Sequence, residues 1–288
     1  MASAIGISVR DTVLWVEDTG ETHLPAVVCL HSLWLDGTMF GDLVKAAAGK
    51  FRVIRPDFRG QGQSAPPTTE IIDMETCALD IEALIEKLGL TSVNLVVQSM
   101  GGDVAIRMAA RRPEAYRSLI MLASSARGGE IDELDFVRQW LQNSYQTGFV
   151  GDSLQLLREV MFGVTTRKTV SKQVMLKHWS NMLEASPRSL WPAIRGVIER
   201  ESAVDLLPRI TTPSLVFSGE EDVARPPAWA DEVVENLPNA RLVRLKAIGH
   251  SPILEAPELV IPQIVAFLEN PAFDESRFGK GLCNACRV

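Results

Sequence analysis

The chain has 288 residues, of which 46% are hydrophobic and 23% are charged, and its formal net charge at pH 7 is −7. This composition excludes collagen-like proteins, disordered proteins and small disulfide scaffolds. The acidic balance argues against a nucleic-acid partner, because phosphate binding needs a basic surface. No apolar run reaches the roughly 18 residues that a membrane span needs. Residues 1–10 lack the pattern of a signal peptide, so we expect a cytoplasmic protein with no membrane partner.

Strand and helix patterns alternate over the first part of the chain. A predicted hairpin over 5–17 is followed by short apolar runs, typical of buried strands, that alternate with segments of helical periodicity. The predicted strands are 26–30, 51–54, 93–97 and 119–122, and the predicted helices are 37–48, 73–88 and 101–112. This alternation predicts a parallel sheet with helices on both faces.

The pattern then changes to helices alone. From about 127 to 205 helical periodicity dominates, over 131–145, 153–162, 171–184 and 189–199. Strands and helices alternate again afterwards, with strands at 214–217 and 241–245 and helices at 228–235 and 259–268. We therefore divide the chain into a core formed by 1–126 and 207–271, a helical cap at 127–206 and a tail at 272–288.

The four cysteines predict neither a disulfide framework nor a metal site. Cys29 and Cys77 lie in periodic segments and are expected to be buried thiols. Cys283 and Cys286 form a single CxxC in the tail, and one such pair without a second is a weak metal signal.

The sharpest chemical feature is the segment 97–102, Val-Gln-Ser-Met-Gly-Gly. A predicted buried strand ends at Val97, and a helix begins just after Ser99. Such a tight turn projects a serine hydroxyl above the sheet, and the helix N-terminus offers free N–H groups to a developing oxyanion. The alternative is an ordinary strand-to-helix loop in which the serine only caps the helix.

A nucleophilic serine needs a base, and the chain has four histidines. His31 and His250 each follow a predicted strand, so both would lie at the carboxyl edge of the sheet, where ligands bind. We favour His250 because it lies in a glycine-containing loop after the last strand. His23 and His178 are expected to be surface or packing residues.

The orienting acid is expected at another strand end. Glu220, Glu221 and Asp222 follow the predicted seventh strand. Asp222 is the candidate, since its distance along the chain from His250 leaves room for a loop, one helix and one strand. Glu220 and Glu221 are then solvated neighbours. The order Ser99, Asp222, His250 is the one associated with the α/β-hydrolase arrangement.

Five short segments of the chain resemble the α/β-hydrolase superfamily, and the resemblance extends to about residue 271. They are Leu30-His31-Ser32, the D-x-R-G-x-G-x-S turn at 57–64, Gln98-Ser99-Met100-Gly101-Gly102, Gly219-Glu220-Glu221-Asp222 and Gly249-His250. The chain looks most like the branch of enol-lactonases, esterases and C–C hydrolases. The resemblance implies a mostly parallel eight-stranded sheet with helices on both faces and a helical cap inserted after the sixth strand.

The same resemblance implies that the backbone N–H groups of Leu33 and Met100 form an oxyanion hole. Ser32 and Val97 depart from the family pattern, since each replaces a glycine where backbone segments approach closely. Neither change removes a reacting group, so the assignment is kept. Ser32 alternatively adds a hydroxyl near the oxyanion site.

A serine at position 99 implies acyl transfer to water, because haloalkane dehalogenases and epoxide hydrolases of this superfamily have aspartate there. We expect hydrolysis of a carboxylic ester or lactone of a small, largely apolar or aromatic substrate, with no metal and no cofactor. A C–C hydrolase of ring-fission diketones and a ligand-binding member with little turnover stay open as alternatives. A homodimer also stays open. The predicted substrate-binding residues are His31, Ser32, Trp34, Trp140, Trp179 and Trp191.

Overall fold

A computed structural model describes residues 3–129 and 131–271 of the chain. The predicted tail with its CxxC pair lies outside the described residues. The strands are β1 (Ser3–Val9), β2 (Thr12–Asp18), β3 (Ala26–Leu30), β4 (Arg52–Pro56), β5 (Val93–Gln98), β6 (Tyr116–Leu122), β7 (Ser214–Gly219) and β8 (Ala240–Leu245). They form one sheet in the order β1-β2-β4-β3-β5-β6-β7-β8.

The sheet is mostly parallel. β2 runs antiparallel to both β1 and β4, and every other neighbouring pair is parallel. β3 and β5 are buried along their whole length, which explains why their sequences are nearly continuous apolar runs rather than alternating ones. The prediction of an eight-stranded, mostly parallel sheet is confirmed.

Helices connect the strands and also fill the segment between β6 and β7. They are α1 (Gly41–Ala47), α2 (Met74–Lys87), α3 (Met100–Arg111), α4 (Ile131–Thr147), α5 (Asp152–Met161), α6 (Val164–Lys168), α7 (Gln173–Glu184), α8 (Trp191–Ile198), α9 (Pro227–Asn236), α10 (Pro252–Glu255) and α11 (Pro257–Glu269). Within the described ranges, no helix is both long and apolar enough to cross a membrane.

The helices lie on both faces of the sheet because parallel crossovers are right-handed. The chain moves from β3 to β4 in one direction through α1, and from β4 past β3 to β5 in the opposite direction through α2. α1 and α2 therefore lie on opposite faces. α3 and α9 connect strands in the same direction as α2, and α11 packs against α1.

Local signals account for the position of α2. Asp73 caps its start, with a side-chain oxygen accepting a hydrogen bond from the Thr76 N–H at 2.7 Å. Gly89 follows its end with a φ of +67°, a left-handed conformation that favours glycine. Ile81 and Leu84 lie on the buried face, as the helical periodicity predicts.

In the described chain between β6 and β7, helices occur without any strand. α5 packs against α7, and α4 packs against α8. A 3-10 segment, Val204–Arg209, packs against α3 and α9 before β7 begins. The predicted boundary at 206 thus falls inside a segment that contacts core helices.

Two short helices, α6 and α10, escaped sequence prediction. They have five and four residues, too few to show a full hydrophobic period. The predicted helix 37–48 is also divided, into a 3-10 turn at Gly37–Phe40 followed by α1.

Candidate active site

Ser99 lies in the turn between β5 and α3, in backbone with φ +50° and ψ −111°. This conformation costs about 1–3 kcal/mol for a residue with a side chain. The close packing of the turn explains the two glycines that follow. A Cβ on Gly101 would collide with the Leu30 carbonyl oxygen, and a Cβ on Gly102 would collide with the Ser124 side chain, which follows β6. Val97, which replaces the family's glycine, is buried within β5, and the turn forms with it in place.

The structure brings Ser99, Asp222 and His250 into one chain of hydrogen bonds. Ser99 Oγ lies 2.8 Å from His250 Nε2, and His250 Nδ1 lies 2.9 and 3.0 Å from the two Asp222 carboxylate oxygens. All three side chains are buried. In the tautomer that fits, Nδ1–H donates to Asp222 and Nε2 accepts from the serine hydroxyl.

Asp222 is held by its own loop as well as by the histidine. Its Oδ1 atom accepts hydrogen bonds from the N–H groups of Ala224 at 2.9 Å and Arg225 at 2.8 Å. The loop begins where β7 ends, and β5 and β8 end at the same edge of the sheet. The carboxyl ends of these strands therefore carry all three residues to one site.

A tight turn after β3 carries the predicted oxyanion donor Leu33. The Leu35 N–H donates to the Ser32 carbonyl oxygen at 3.2 Å, and Trp34 has a φ of +66°. Met100 is the first residue of α3, where an N–H group has no acceptor within the helix. Ser32 and Leu33 both line the cavity that contains Ser99.

His31 supports this turn from behind. Its Nδ1 lies 2.8 Å from the Ser32 carbonyl oxygen, and its Nε2 accepts a hydrogen bond from the Phe58 N–H at 2.9 Å. The ring is completely buried and is absent from the lining of the cavity around Ser99. The prediction that His31 binds substrate is therefore not supported, because both ring nitrogens bind backbone groups.

The D-x-R-G-x-G-x-S turn is a structural element beside the site. The Asp57 carboxylate accepts hydrogen bonds from the N–H groups of Gly37 at 2.9 Å and Gln63 at 2.8 Å. A Cβ on Gly62, whose φ is +53°, would collide with the same carboxylate. Gln61 places its Nε2 atom 3.3 Å from the Met100 sulfur, so this turn contacts the residue after the nucleophile.

A cavity of about 230 Å³ opens beside Ser99 and His250. Core residues Ser32, Leu33 and Trp34 form part of its wall, and Val137, Trp140 and Leu141 of α4 form another part. The wall is mostly apolar, which is typical of small-molecule sites.

Two of the four predicted substrate-binding tryptophans line this cavity. Trp34 and Trp140 each meet the ring of Phe149 edge-on, with centroids 6.0 Å apart. Trp179 is buried against a histidine ring, and Trp191 lies against a tyrosine ring. Neither of these two tryptophans lines the cavity around Ser99. Sequence periodicity could not separate Trp140 from Trp179 and Trp191, because all three lie on helices with apolar faces.

Glu255 is a buried carboxylate that sequence reasoning missed. Its Oε1 atom accepts a hydrogen bond from the Ser251 N–H at 2.9 Å, and its Oε2 atom accepts from the N–H groups of Gly249 at 3.1 Å and Gly163 at 2.9 Å. Two of these donors flank His250, and the third lies just before α6. A single glutamate within the apolar segment 252–256 was the available signal.

Removing the Glu255 charge is expected to destabilise the protein and disturb the base loop. Glu255→Gln replaces one acceptor oxygen by an amide that faces N–H donors, so we expect the free energy of unfolding to fall by about 2–3 kcal/mol. Ester hydrolysis should fall with it. Glu258→Gln is the matched control, because Glu258 is 63% exposed and its ion pair among the described residues is with Lys172 at 3.5 Å. Equal urea midpoints for the two variants would contradict this role.

Glu221 also joins the Asp222 loop to the helical segment. It accepts hydrogen bonds from the Thr165 N–H at 2.7 Å and from the Thr165 hydroxyl at 2.5 Å. The expectation that Glu221 is only a solvated neighbour is therefore wrong, whereas Glu220 is exposed as expected. The Ser251 hydroxyl makes a third link, to the Met161 carbonyl oxygen at 2.8 Å.

Burial shifts several acid–base equilibria in the core. It raises the pKa of the Asp103 carboxyl to about 6, against the opposing effect of neighbouring guanidiniums. It raises the pKa of the Cys29 thiol to about 12 and the pKa of the Cys77 thiol further still. The two cysteines are the buried thiols that the sequence predicts, and they are unreactive as nucleophiles.

Among the described residues, no group of three or more His, Cys, Asp or Glu side chains is arranged to hold a metal ion.

Residues 25–257 match the family model of the alpha/beta hydrolase fold, and the chain belongs to this family as a hydrolase of that fold. BpoC of Mycobacterium tuberculosis, named as a non-heme bromoperoxidase, is 29% identical over 228 residues, which cover 77% of this chain and 84% of that protein. A malate-bound esterase of Thermogutta terrifontis superposes with a TM-score of 0.83 at 27% identity, covering 94% of this chain and 100% of that chain. The enol-lactonase of Burkholderia xenovorans LB400 superposes with a TM-score of 0.83 at 25% identity, covering 92% and 100%.

Proposed function

We propose that the protein is a serine hydrolase that cleaves a carboxylic ester or lactone of a small, largely apolar or aromatic substrate through an acyl-enzyme on Ser99. The observation that carries this proposal is the hydrogen-bonded chain from Ser99 Oγ through His250 to Asp222, located at a mostly apolar cavity. The similarity to an esterase and to an enol-lactonase supports the same reaction class.

In the proposed acylation step, Ser99 Oγ attacks the substrate carbonyl carbon while His250 Nε2 takes the hydroxyl proton. The Asp222 carboxylate keeps Nδ1 protonated and stabilises the imidazolium that forms. His250 then gives the proton to the leaving alkoxide as the ester bond breaks. A water molecule activated by the same histidine releases the acid and restores the serine.

The negative charge on the carbonyl oxygen is assigned to the N–H groups of Leu33 and Met100. Removing one such donor typically costs about 3–4 kcal/mol of transition-state stabilisation. Both donors are backbone groups in tightly folded segments, the turn at 32–35 and the first residue of α3. They need no rearrangement when the charge develops.

Helices α4 to α8 are proposed to form the cap over this site. α4 contributes Val137, Trp140 and Leu141 to the cavity wall. The end of α5, the start of α6 and Gly163 between them form hydrogen bonds with Ser251, Glu221 and Glu255 of the core. These bonds support a cap that holds a fixed position against the loops of Asp222 and His250.

A panel of p-nitrophenyl esters of increasing acyl length, together with simple lactones, tests the proposal. We expect many turnovers per enzyme molecule, with a chain-length preference that reflects the cavity. Release of only one equivalent of nitrophenol would identify a ligand-binding member with little turnover. Hydrolysis of ring-fission diketones without ester hydrolysis would identify a C–C hydrolase.

A further inference from the structure

Two arginines line the same cavity as Ser99 and His250. They are Arg200, which follows α8, and Arg225, which follows Asp222 in its loop. Their side chains are only 7% and 5% exposed. Burying a guanidinium is costly unless it is paired and its N–H groups are bonded. An otherwise apolar wall therefore contains two charges that need partners.

Among the residues that the structure describes, the charges in this cluster do not balance. Arg225 Nη2 donates to Asp103 Oδ2 at 2.7 Å, and Arg200 Nε lies 3.4 Å from Asp103 Oδ1. The Arg107 guanidinium donates instead to the backbone carbonyl oxygens of Asp103 at 2.8 Å and Glu201 at 3.0 Å. The carboxylate of Asp222, which the Arg225 N–H binds, already accepts bonds from the His250 ring and from two N–H groups of its own loop. Two guanidiniums thus share the Asp103 carboxylate.

Several guanidinium N–H groups are also left without an acceptor. Arg200 donates to the carbonyl oxygens of Arg127 at 2.9 Å and Val197 at 2.6 Å, which leaves its Nη2 atom unbonded within the described chain. Arg225 uses only Nη2, so its Nε and Nη1 atoms make no hydrogen bond to the described residues. A planar guanidinium whose N–H donors are free matches the geometry of a carboxylate, which can accept two parallel hydrogen bonds.

The cluster lies close to the reacting centre. Asp103 is four residues after Ser99 on α3, one helical turn or roughly 5–6 Å along the axis. The backbone N–H of Arg225 binds Asp222. Ser99 and both arginines line one cavity, so an acyl chain of about this length attached to Ser99 is long enough to reach the two guanidiniums.

We propose that Arg200 and Arg225 form an anion subsite, and that the substrate is an ester or lactone whose acyl part carries a carboxylate. This inference rests on the proposed hydrolysis at Ser99. The apolar wall contacts the methylene or ring portion, and the two forks bind the terminal carboxylate. Asp103 holds the two guanidiniums in place and neutralises one of their two charges. The substrate carboxylate neutralises the other.

A matched pair of substrates tests the subsite. The p-nitrophenyl monoester of adipic acid carries a terminal carboxylate, and the corresponding ester of adipic acid monoamide is its neutral isostere. Suberic acid gives a longer pair. We expect kcat/KM to favour the carboxylate by about 10- to 100-fold in at least one pair, the range of charge-assisted hydrogen bonds. A ratio near one in both pairs would overturn the subsite, while ester hydrolysis itself would stand.

Arg225→Gln is expected to bring this ratio close to one, mainly through a higher KM for the carboxylate ester. General damage to the site cancels in the ratio, because both esters report the same serine chemistry. Arg195→Gln is the control, since Arg195 of α8 pairs with Glu199 at 3.1 Å and does not line the cavity around Ser99. Its ratio should equal that of the wild type.

Asp103→Asn should raise the ratio of the two kcat/KM values, because the substrate carboxylate then has no competitor for the two guanidiniums. An unchanged ratio in both Arg225→Gln and Asp103→Asn would contradict the assignment.

A binding measurement keeps the subsite testable if no ester is hydrolysed. Trp229 lines the cavity, with its ring centroid 5.9 Å from the Arg225 Cζ atom, so tryptophan fluorescence should report occupancy. We expect 4-phenylbutyrate to bind at least about 10-fold more tightly than 4-phenylbutyramide, with the difference lost in Arg225→Gln. If the acid and the amide bind equally, or neither binds, the subsite is wrong. Selective binding of the acid without any ester turnover would overturn the proposed function but not the subsite.

Discussion

Replacing Ser99 by alanine is expected to lower kcat for ester hydrolysis by about 10³- to 10⁶-fold. The variant keeps the cavity, the oxyanion donors and the His250–Asp222 pair but has no oxygen to form the acyl-enzyme. Residual turnover would come from water bound in place of the hydroxyl and from the oxyanion donors. The measurement is the rate of nitrophenol release, together with mass spectrometry of the Ser99 peptide after treatment with a fluorophosphonate.

Ser125→Ala is the control for this experiment. Ser125 is also a buried serine beyond a parallel strand, and its hydroxyl makes no hydrogen bond within the described part of the chain. We expect this variant to keep wild-type activity and wild-type fluorophosphonate labelling. If Ser99→Ala at matched thermal stability retained activity, Ser99 would not be the nucleophile.

Replacing Asp222 by asparagine is expected to lower kcat by about 10⁴-fold near neutral pH. Both backbone bonds of the Asp222 loop end on Oδ1, so an asparagine that preserves them turns its amide nitrogen toward His250. The amide donates to Nδ1, which forces the proton onto Nε2. The histidine can then no longer accept the serine proton, although the fold and the position of the ring are retained.

Glu220→Gln provides the comparison for Asp222→Asn. Glu220 lies two residues before Asp222 and is exposed. Its replacement by glutamine removes the same formal charge as Asp222→Asn. We expect it to behave as the wild type in kcat and in its rate of fluorophosphonate labelling, whereas Asp222→Asn should slow both. A loss of less than about tenfold in Asp222→Asn would show that another group orients the base.

The sequence alone was sufficient to predict the strands of the sheet and the three residues of the hydrogen-bonded chain. β3 and β5 are recognisable because strands buried on both faces are continuous apolar runs. Ser99, Asp222 and His250 follow such strands directly, and parallel strands all end at one edge of the sheet. Strand-end position therefore placed these three residues together without any knowledge of their side-chain contacts.

The tertiary structure decided the contacts between side chains that are remote in sequence. Glu255 reaches back to Gly163, and Arg225 reaches Asp103 on α3; neither pairing has a local pattern. His31 passes the same strand-end test as His250, yet its ring binds only backbone groups. Apolar periodicity shows that a helix buries one face but does not show whether that face meets another helix or a ligand cavity. This choice depends on packing between elements, which is why Trp140 and Trp179 could be separated only in the folded molecule.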